Sequence, residues 1–515
     1  MSSSFRFPCP VALRHSLPGL MLTACGFIAV STLHAQEPVF DTVAARETNV
    51  PDGFTVVGVG DVIMGRAVTV GADAELEQVL DILRAGDVTF ANFEGSLIDF
   101  TTFDGFAQAE HGGAYHVAPP EVADDLRNMG IDLVNLANNH IMDWGLEGMR
   151  ETRRHLERAG VVHAGTGETL GLARGPAYLE TKGGRVALVG TASSFTDLSR
   201  AGPAAPKVPG RPGVNALRLS RTAVVTEAML ANLREVLDAL PGRGDEENEE
   251  VGEVEESEES EELEESEDPE EGRELEEGQD PEEGDGEDDD PDDSLRFMGQ
   301  SFKSGDTPAF TYEGNEDDVA GILRSVREGK QLSDFLILTQ HAHEPGNWSR
   351  EPADYLPTLV RSAIDEGADM FIGHGPHQLR GIEIYEGKPI FYSLGNFIFH
   401  DNLTPVPYAM FERYDVDPRE GTEGDVNAAM GEGFNNRPNF ESVITASTFE
   451  GGRVSEIRLY PIELRQENRL ANRGVPRLAS PETADRILER LQELSAPFGT
   501  EIKIEDHIGV IRPEG

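Results

Sequence analysis

The chain has 515 residues, of which 95 are acidic and 43 basic, giving a formal net charge of -52, with 38% apolar residues and two cysteines. That charge repels nucleic acid and anionic membrane surfaces and sets both aside as partners. Cys9 and Cys25 are too few for a disulfide scaffold or a cysteine-ligated zinc or iron–sulfur site. The length fits two or three domains, or one large α/β domain with additions.

Residues 1–16 are polar and carry Arg6 and Arg14, residues 17–35 are nearly apolar and uncharged, and Gln36, Glu37 and Pro38 follow. This is the pattern of a secretory signal over residues 1–35, cleaved after Ala35. The apolar stretch is also long enough to remain as an uncleaved anchor. Leu22-Thr23-Ala24-Cys25 resembles a bacterial lipobox, with Cys25 as the lipid-bearing residue. The body is expected to be exported: periplasmic, on the cell surface or extracellular.

Along the body, short β-rich runs at residues 54–60, 88–92, 133–137, 186–190, 335–339 and 370–372 alternate with helical patterns. The helical patterns cover residues 75–84, 120–129, 223–240, 317–328 and 355–366. This alternation predicts an α/β sheet with helices on its faces. Hairpins are expected over 179–189, 382–392 and 447–460, each turning at a glycine, and most simply form a second sheet. Residues 483–495 read as an amphipathic helix followed by a short strand at 501–504.

Between the helix ending near Leu240 and the segment from Phe297, 31 of the 49 residues 245–293 are Asp or Glu and one, Arg273, is basic. The segment carries -30 of the net charge and contains no aromatic residue. It cannot bury enough apolar surface to offset its ordering entropy, and reads as a disordered insertion within one domain.

The polar residues of interest sit where the buried strands end. Asp61 follows the first strand, Asn92 and Glu94 end the second, and Asn139 and His140 end the third. His341 and His343 end the strand at 335–339, and His374 and His377 the strand at 370–372. Open α/β sheets gather ligands outside the carboxyl ends of their strands. A convergent set of Asp, Glu, Asn and His suits a divalent cation such as manganese, iron, zinc or magnesium. His111, His116, His155, His163, His400 and His507 fit no constellation and read as ordinary polar residues. Ser393 and Asn396 read as turn and hydrogen-bonding residues.

These residues also carry a resemblance. Gly60-Asp61-Val62-Ile63-Met64-Gly65-Arg66, Asn92-Phe93-Glu94, Asn138-Asn139-His140 with Asp143 and Gly145, and Tyr392-Ser393-Leu394-Gly395-Asn396-Phe397 are similar to the motif set of the CapA family of poly-gamma-glutamate capsule biosynthesis proteins. Arg211-Pro212-Gly213-Val214-Asn215 and Gly373-His374-Gly375-Pro376-His377 fit a branch of it.

The family in turn resembles calcineurin-like metallophosphoesterases. The resemblance implies a four-layer α/β/β/α sandwich over residues 51–464, interrupted by the acidic insertion and followed by a C-terminal helix and strand extension over 465–515. It implies a metal site of Asp61, Glu94, Asn139, His341 and His377, with His374 and His343 in reserve. It gives His140 the leaving group, Arg66 an anionic part of the substrate, and Asp143 either the orientation of His140 or the cap of the next helix. The first metal position is weakened, because Ile63 and Gly375 stand where many relatives have histidine.

The function implied is exported metal-dependent hydrolysis or group transfer on an anionic polymer or phosphate ester, beside membrane-bound capsule synthesis proteins. A periplasmic or extracellular phosphoesterase, or a non-catalytic polymer-handling subunit, is the alternative.

Overall fold

The structure is a computed structural model and describes residues 44–108, 114–240, 293–400 and 405–513. The signal-like segment 1–35 lies outside the described residues, as does the acidic run apart from Asp293. Among the described residues no helix is long and apolar enough to cross a membrane.

The fold is mixed α/β, built on two large sheets. The first has ten strands. Its parallel part joins Asn396–Phe399, Phe54–Ile63, Val88–Phe93, Leu133–Asn135 and Val162–Ala164. The hairpin Glu441–Glu450/Arg453–Glu463 adds antiparallel to the N-terminal half of Phe54–Ile63. The second sheet has six strands. Gly184–Ala192, Phe335–His341, Met370–His374 and Lys388–Phe391 run parallel, with Ala177–Thr181 and Ile382–Tyr385 folded back on its edges.

The three expected hairpins all form, but they do not make a sheet of their own. The buried strands divide between two sheets, and the hairpins extend both. An apolar run records burial, not which sheet the strand joins.

Neighbouring residues on each strand face opposite ways, and the core follows that alternation. Val56, Phe90 and Leu133 of the ten-stranded sheet meet Leu188, Ile337 and Ile372 of the six-stranded sheet in one cluster. Their neighbours Val57, Ala91 and Val134 pack with the helices Ala74–Arg84, Glu121–Met129 and Gly145–Ala159. On the second sheet, Ala187, Val189, Leu336, Leu338 and Phe371 pack with the helices Glu316–Gln331 and Tyr355–Asp365.

The C-terminal segment continues the first sheet. Arg477–Leu478 and Ile508–Ile511 both pair with Arg453–Glu463. The helix Pro481–Ser495 drives Ile487, Leu488 and Leu491 into the cluster between the sheets.

The expected helix from residue 223 is corrected. Leu219–Val225 is a strand, and the helix is Glu227–Ala239, capped by the Thr226 side chain accepting from the Met229 N–H. The β-branched residues Thr222, Val224 and Val225 prefer a pleated strand, and Thr226 is the residue type that begins helices. Leu219–Val225 belongs to a four-stranded sheet with Ser294–Phe297, Gln300–Ser304 and Ala309–Gly314. The segments before and after the acidic run are therefore hydrogen-bonded to each other.

Because loop-closure entropy changes slowly with length, replacing residues 245–292 by a short Gly/Ser linker is expected to alter unfolding free energy by about 1 kcal/mol or less. Urea unfolding followed by circular dichroism checks this. Loss of the cooperative transition would mean that the run is needed to fold the four-stranded sheet.

Candidate metal centre

The strand ends meet through one rung of each sheet. In the ten-stranded sheet the register aligns Asn396, Asp61, Asn92 and Asn135 on four neighbouring strands. In the six-stranded sheet it aligns Ala192, His341 and His374. The first rung depends on two glycines. A Cβ on Gly60 would lie 1.8 Å from the Gly395 carbonyl oxygen, and that close passage lets the Asp61 N–H donate to the same oxygen at 2.8 Å. The motif around Asp61 and the motif around Asn396 are thus two halves of one backbone contact.

Hydrogen bonds fix which atoms point inward. The Ala137 N–H donates to Asn135 Oδ1 (3.1 Å), so the Asn135 amide NH₂ faces Asn92 Oδ1 (3.1 Å). The Asn92 NH₂ then donates to Asp61 Oδ1 (2.8 Å) and lies 3.3 Å from His341 Nδ1, which accepts. On the other rung the Thr339 hydroxyl lies 2.7 Å from the Ile372 carbonyl oxygen and 2.6 Å from His374 Nε2; when its proton goes to the carbonyl, its oxygen accepts the Nε2–H of His374. In that tautomer His341 Nδ1 and His374 Nδ1 present lone pairs to each other across 3.2 Å. His374 Nδ1 is also 3.9 Å from Asp61 Oδ1. Two facing lone pairs beside a carboxylate repel unless a cation lies among them. Asp61, His341 and His374 form one group whose ligand atoms all lie within 4.8 Å of one another.

Glu94, His343 and His377 form a second such group. His341 Nε2 joins the two, lying 2.9 Å from His343 Nε2 and 3.6 Å from Glu94 Oε1. His377 donates from Nδ1 to Asn396 Oδ1 (3.0 Å), whose NH₂ is held by the Asn439 carbonyl, so His377 Nε2 keeps its lone pair. His377 has φ of +56°, a conformation that non-glycine residues seldom adopt and that concentrates at functional sites. These donors are oxygen and imidazole nitrogen, the set that suits manganese, iron or zinc. His374 supplies the third donor beside Asp61 and His341, while Ile63 turns into the helix-side core.

Burial sets the charge states. It pushes the Asp61 carboxyl up to about 7, against hydrogen bonds from Asn92 and the Gly375 N–H. It pushes His374 down to about 3, His377 to about 4, and His341 well below its ordinary value. Four ionisable groups are thereby disfavoured in their charged forms at one place, an arrangement that a bound cation reverses for the carboxylate.

Asn139 and His140 sit on the buried loop after Leu133–Asn135. Asn138 holds that loop, donating to the Phe93 carbonyl (2.8 Å) and accepting from the His140 N–H (3.1 Å). His140 Nδ1 bonds Asp143 Oδ2 at 2.7 Å, and His140 Nε2 lies 3.8 Å from Glu94 Oε1. Of the two expectations for Asp143, the geometry gives the contact with His140, since the next helix begins at Gly145 and its N-cap residue is Trp144, with no side-chain cap.

Arg66 stands apart from both groups. It donates to the carbonyls of Ala67 and Ala471, at a cavity of about 340 Å³ shared with Asp73 and Arg465. The sequence reading overlooked Asn92, Asn135 and Thr339 as orienting residues. His116, expected to be an ordinary polar residue, is corrected: its buried ring lies 4.2 Å from that of His140. Asn92 stands two residues before Glu94 on a strand end, a signal that was available. The others become visible only through register.

The sequence profile described as bacterial capsule synthesis protein PGA_cap matches residues 55–401, which contain every candidate ligand. An uncharacterized protein of Sinorhizobium fredii, y4uA, is 47% identical over 92% of this chain and 96% of its own length. The PGA biosynthesis protein CapA of Bacillus subtilis is 26% identical over 67% of this chain and 63% of its own. The capsule biosynthesis protein CapA of Bacillus anthracis is 23% identical over 75% and 68% respectively.

Asp61→Ala is expected to lower manganese or zinc content in purified protein. Thr339→Val removes the acceptor that fixes the His374 tautomer and is expected to weaken metal affinity by about 10- to 100-fold, the usual worth of an orienting partner. Competition against a chelator measures both. Unchanged affinity in Thr339→Val would mean that His374 Nδ1 is not a ligand.

Proposed function

We infer the function from the family: the chain belongs to the bacterial capsule synthesis proteins, PGA_cap, and we propose that it is an exported, metal-dependent hydrolase or transferase of capsule or poly-gamma-glutamate synthesis. Its substrate is an anionic polymer or ester, handled beside membrane-bound capsule synthesis proteins. The observation that carries this reading is the convergence of His341 Nδ1 and His374 Nδ1, 3.2 Å apart, beside buried Asp61. Two large sheets with a shared core and helices on their outer faces agree with a four-layer α/β/β/α sandwich of the metallophosphoesterase kind.

Asp61, His341 and His374 would hold one divalent cation, and Glu94, His343 and His377, with Asn139 on the adjoining loop, a second. A cation there supplies Lewis acidity toward the electrophile and the attacking water. The protein's own part is orientation and proton transfer. Asp143 accepts the Nδ1–H of His140, which leaves Nε2 to carry the proton given to the leaving group. The Asn92–Asn135 pair and Thr339 hold the ligands in one tautomer before substrate arrives. Ile63, where many metallophosphoesterases have histidine, favours a second reading, a polymer-handling protein that binds metal without turnover.

His140→Ala separates the two. In the enzyme reading it keeps fold and metal but slows hydrolysis of chromogenic phosphate esters or poly-gamma-glutamate by a factor of about 10²–10⁴, the worth of a general acid. If wild-type protein with full metal has no activity on either substrate class, the non-catalytic reading replaces it. Loss of metal in His140→Ala makes His140 a ligand instead.

A further inference from the structure

A cavity of about 580 Å³ opens beside the candidate metal centre, and its wall includes His343, Ser193, Glu344, Arg200, Arg218 and Arg221. Arg200 and Arg218 also line an adjoining cavity of about 330 Å³, together with Arg174 and Arg211. Five arginines around two hollows that share Arg200 and Arg218 are out of keeping with a chain of net charge -52. Guanidinium groups stay charged and repel one another, so such a cluster calls for anions.

The carboxylates in the two linings, Asp197, Asp317, Asp318 and Glu344, leave the five arginines at a formal balance of +1, and none of them is paired with Arg200 or Arg221. Asp318 takes both Arg218, at 2.6 Å, and Arg174, at 2.8 Å, leaving that trio positive. Arg221 spends two N–H groups on the neutral Gln300 side-chain oxygen and lies over the Phe310 ring at 4.8 Å. Arg211 donates to the Arg200 backbone carbonyl. The Arg200 side chain has no hydrogen bond or ion pair among the described residues, although it is half-buried between the two cavities. Glu344 is occupied by the Ser193 and Ser194 hydroxyls at 2.6 and 3.2 Å. Asp197 is exposed, and Asp317 lines the smaller cavity.

We propose that the cleft between Arg200 and Arg221 is a binding subsite for the anionic groups of a substrate whose reacting end lies at the metal centre. The ligand chemistry is a carboxylate or phosphate oxygen pair, which a guanidinium fork matches with two parallel hydrogen bonds. A volume of about 580 Å³ lies in the range of ligand sites and exceeds what one small anion fills, so several linked anionic groups fit. His343 forms part of the cleft wall and its Nε2 is 2.9 Å from His341 Nε2, so a bound chain leads directly to the ligands. Only the placement of the reacting end rests on the function proposed above.

The test uses the full chain, with and without chelator, and two probes: an oligomer of glutamate and inorganic tripolyphosphate. Arg200→Gln with Arg221→Gln is expected to weaken binding of at least one probe by about tenfold or more in titration calorimetry. Metal content and unfolding temperature should stay as in wild type. Weakening of the glutamate oligomer alone assigns carboxylates, and weakening of tripolyphosphate alone assigns phosphates. Should the double variant fail to fold, Arg200→Glu, at a side chain with no partner to lose, carries the test by charge reversal. Unaltered affinity for both probes, or no binding of either by wild type, overturns the subsite. Arginine-dependent binding by a protein that takes up no metal would leave the subsite standing while removing the metal-dependent function.

Discussion

A carboxylate with no exposed surface, Asp61, lies at the meeting of two sheets, and the surrounding architecture answers to its charge. An ionised carboxylate taken out of water costs several kcal/mol unless hydrogen bonds and a counter-charge compensate. The protein supplies two hydrogen bonds, from Asn92 and Gly375, and surrounds them with imidazoles that burial keeps neutral. Neutral imidazoles donate electron pairs rather than charge. The arrangement therefore stores an electrostatic deficit that a cation fills, and a fold that met only its own stability would place apolar side chains there instead.

That deficit explains why precise register matters more here than composition. Asp61 can receive the Asn92 amide only if Phe54–Ile63 and Val88–Phe93 pair with those residues opposed, and Asn92 is oriented only if Asn135 sits opposite it in turn. A one-residue slip turns each of these side chains to the other face. The apolar clusters on both faces of both sheets forbid that slip, since Val56 and Val57 belong to different cores. Packing energy far from the centre thus holds the geometry of a few polar atoms within it.

The same logic marks what could be read from the sequence. Strand ends were legible because buried strands appear as apolar runs, and at five of the six an Asp, Glu, Asn or His follows within two residues, the run 186–190 being the exception. Hairpins were legible from their glycine turns. The division of strands between two sheets was not, because a run such as Val186 to Gly190 looks alike in either. Nor were Asn135, Thr339 and His116, whose roles come from residues opposite them on other strands or loops, dozens of positions away. The helix at residue 223 was misread because apolar spacing outweighed the β-branched run before Thr226. The arginine cluster was half-legible: Arg200, Arg211, Arg218 and Arg221 stand in residues 198–226, a stretch without Asp or Glu, but only the fold brings Arg174 to them and closes the cavities they line.

The centre and the arginine cleft are also mechanically one object. The residues after Gly184–Ala192 serve both: the Ser193 N–H donates to the His341 carbonyl at 2.9 Å, and the Ser193 hydroxyl holds Glu344. The Ser194 hydroxyl accepts the His343 N–H at 2.9 Å while donating to Glu344. Buried Arg380 closes the same loop from the other side, donating to the carbonyls of Glu344 and Ser349. A displacement of the His343–Glu344 segment therefore moves a metal-facing imidazole and the cleft wall together. Ser193 and Glu344 line the cleft and belong to the hydrogen bonds that hold the segment carrying His341 and His343, so an anion bound there would lie against that segment, with no separate moving part needed.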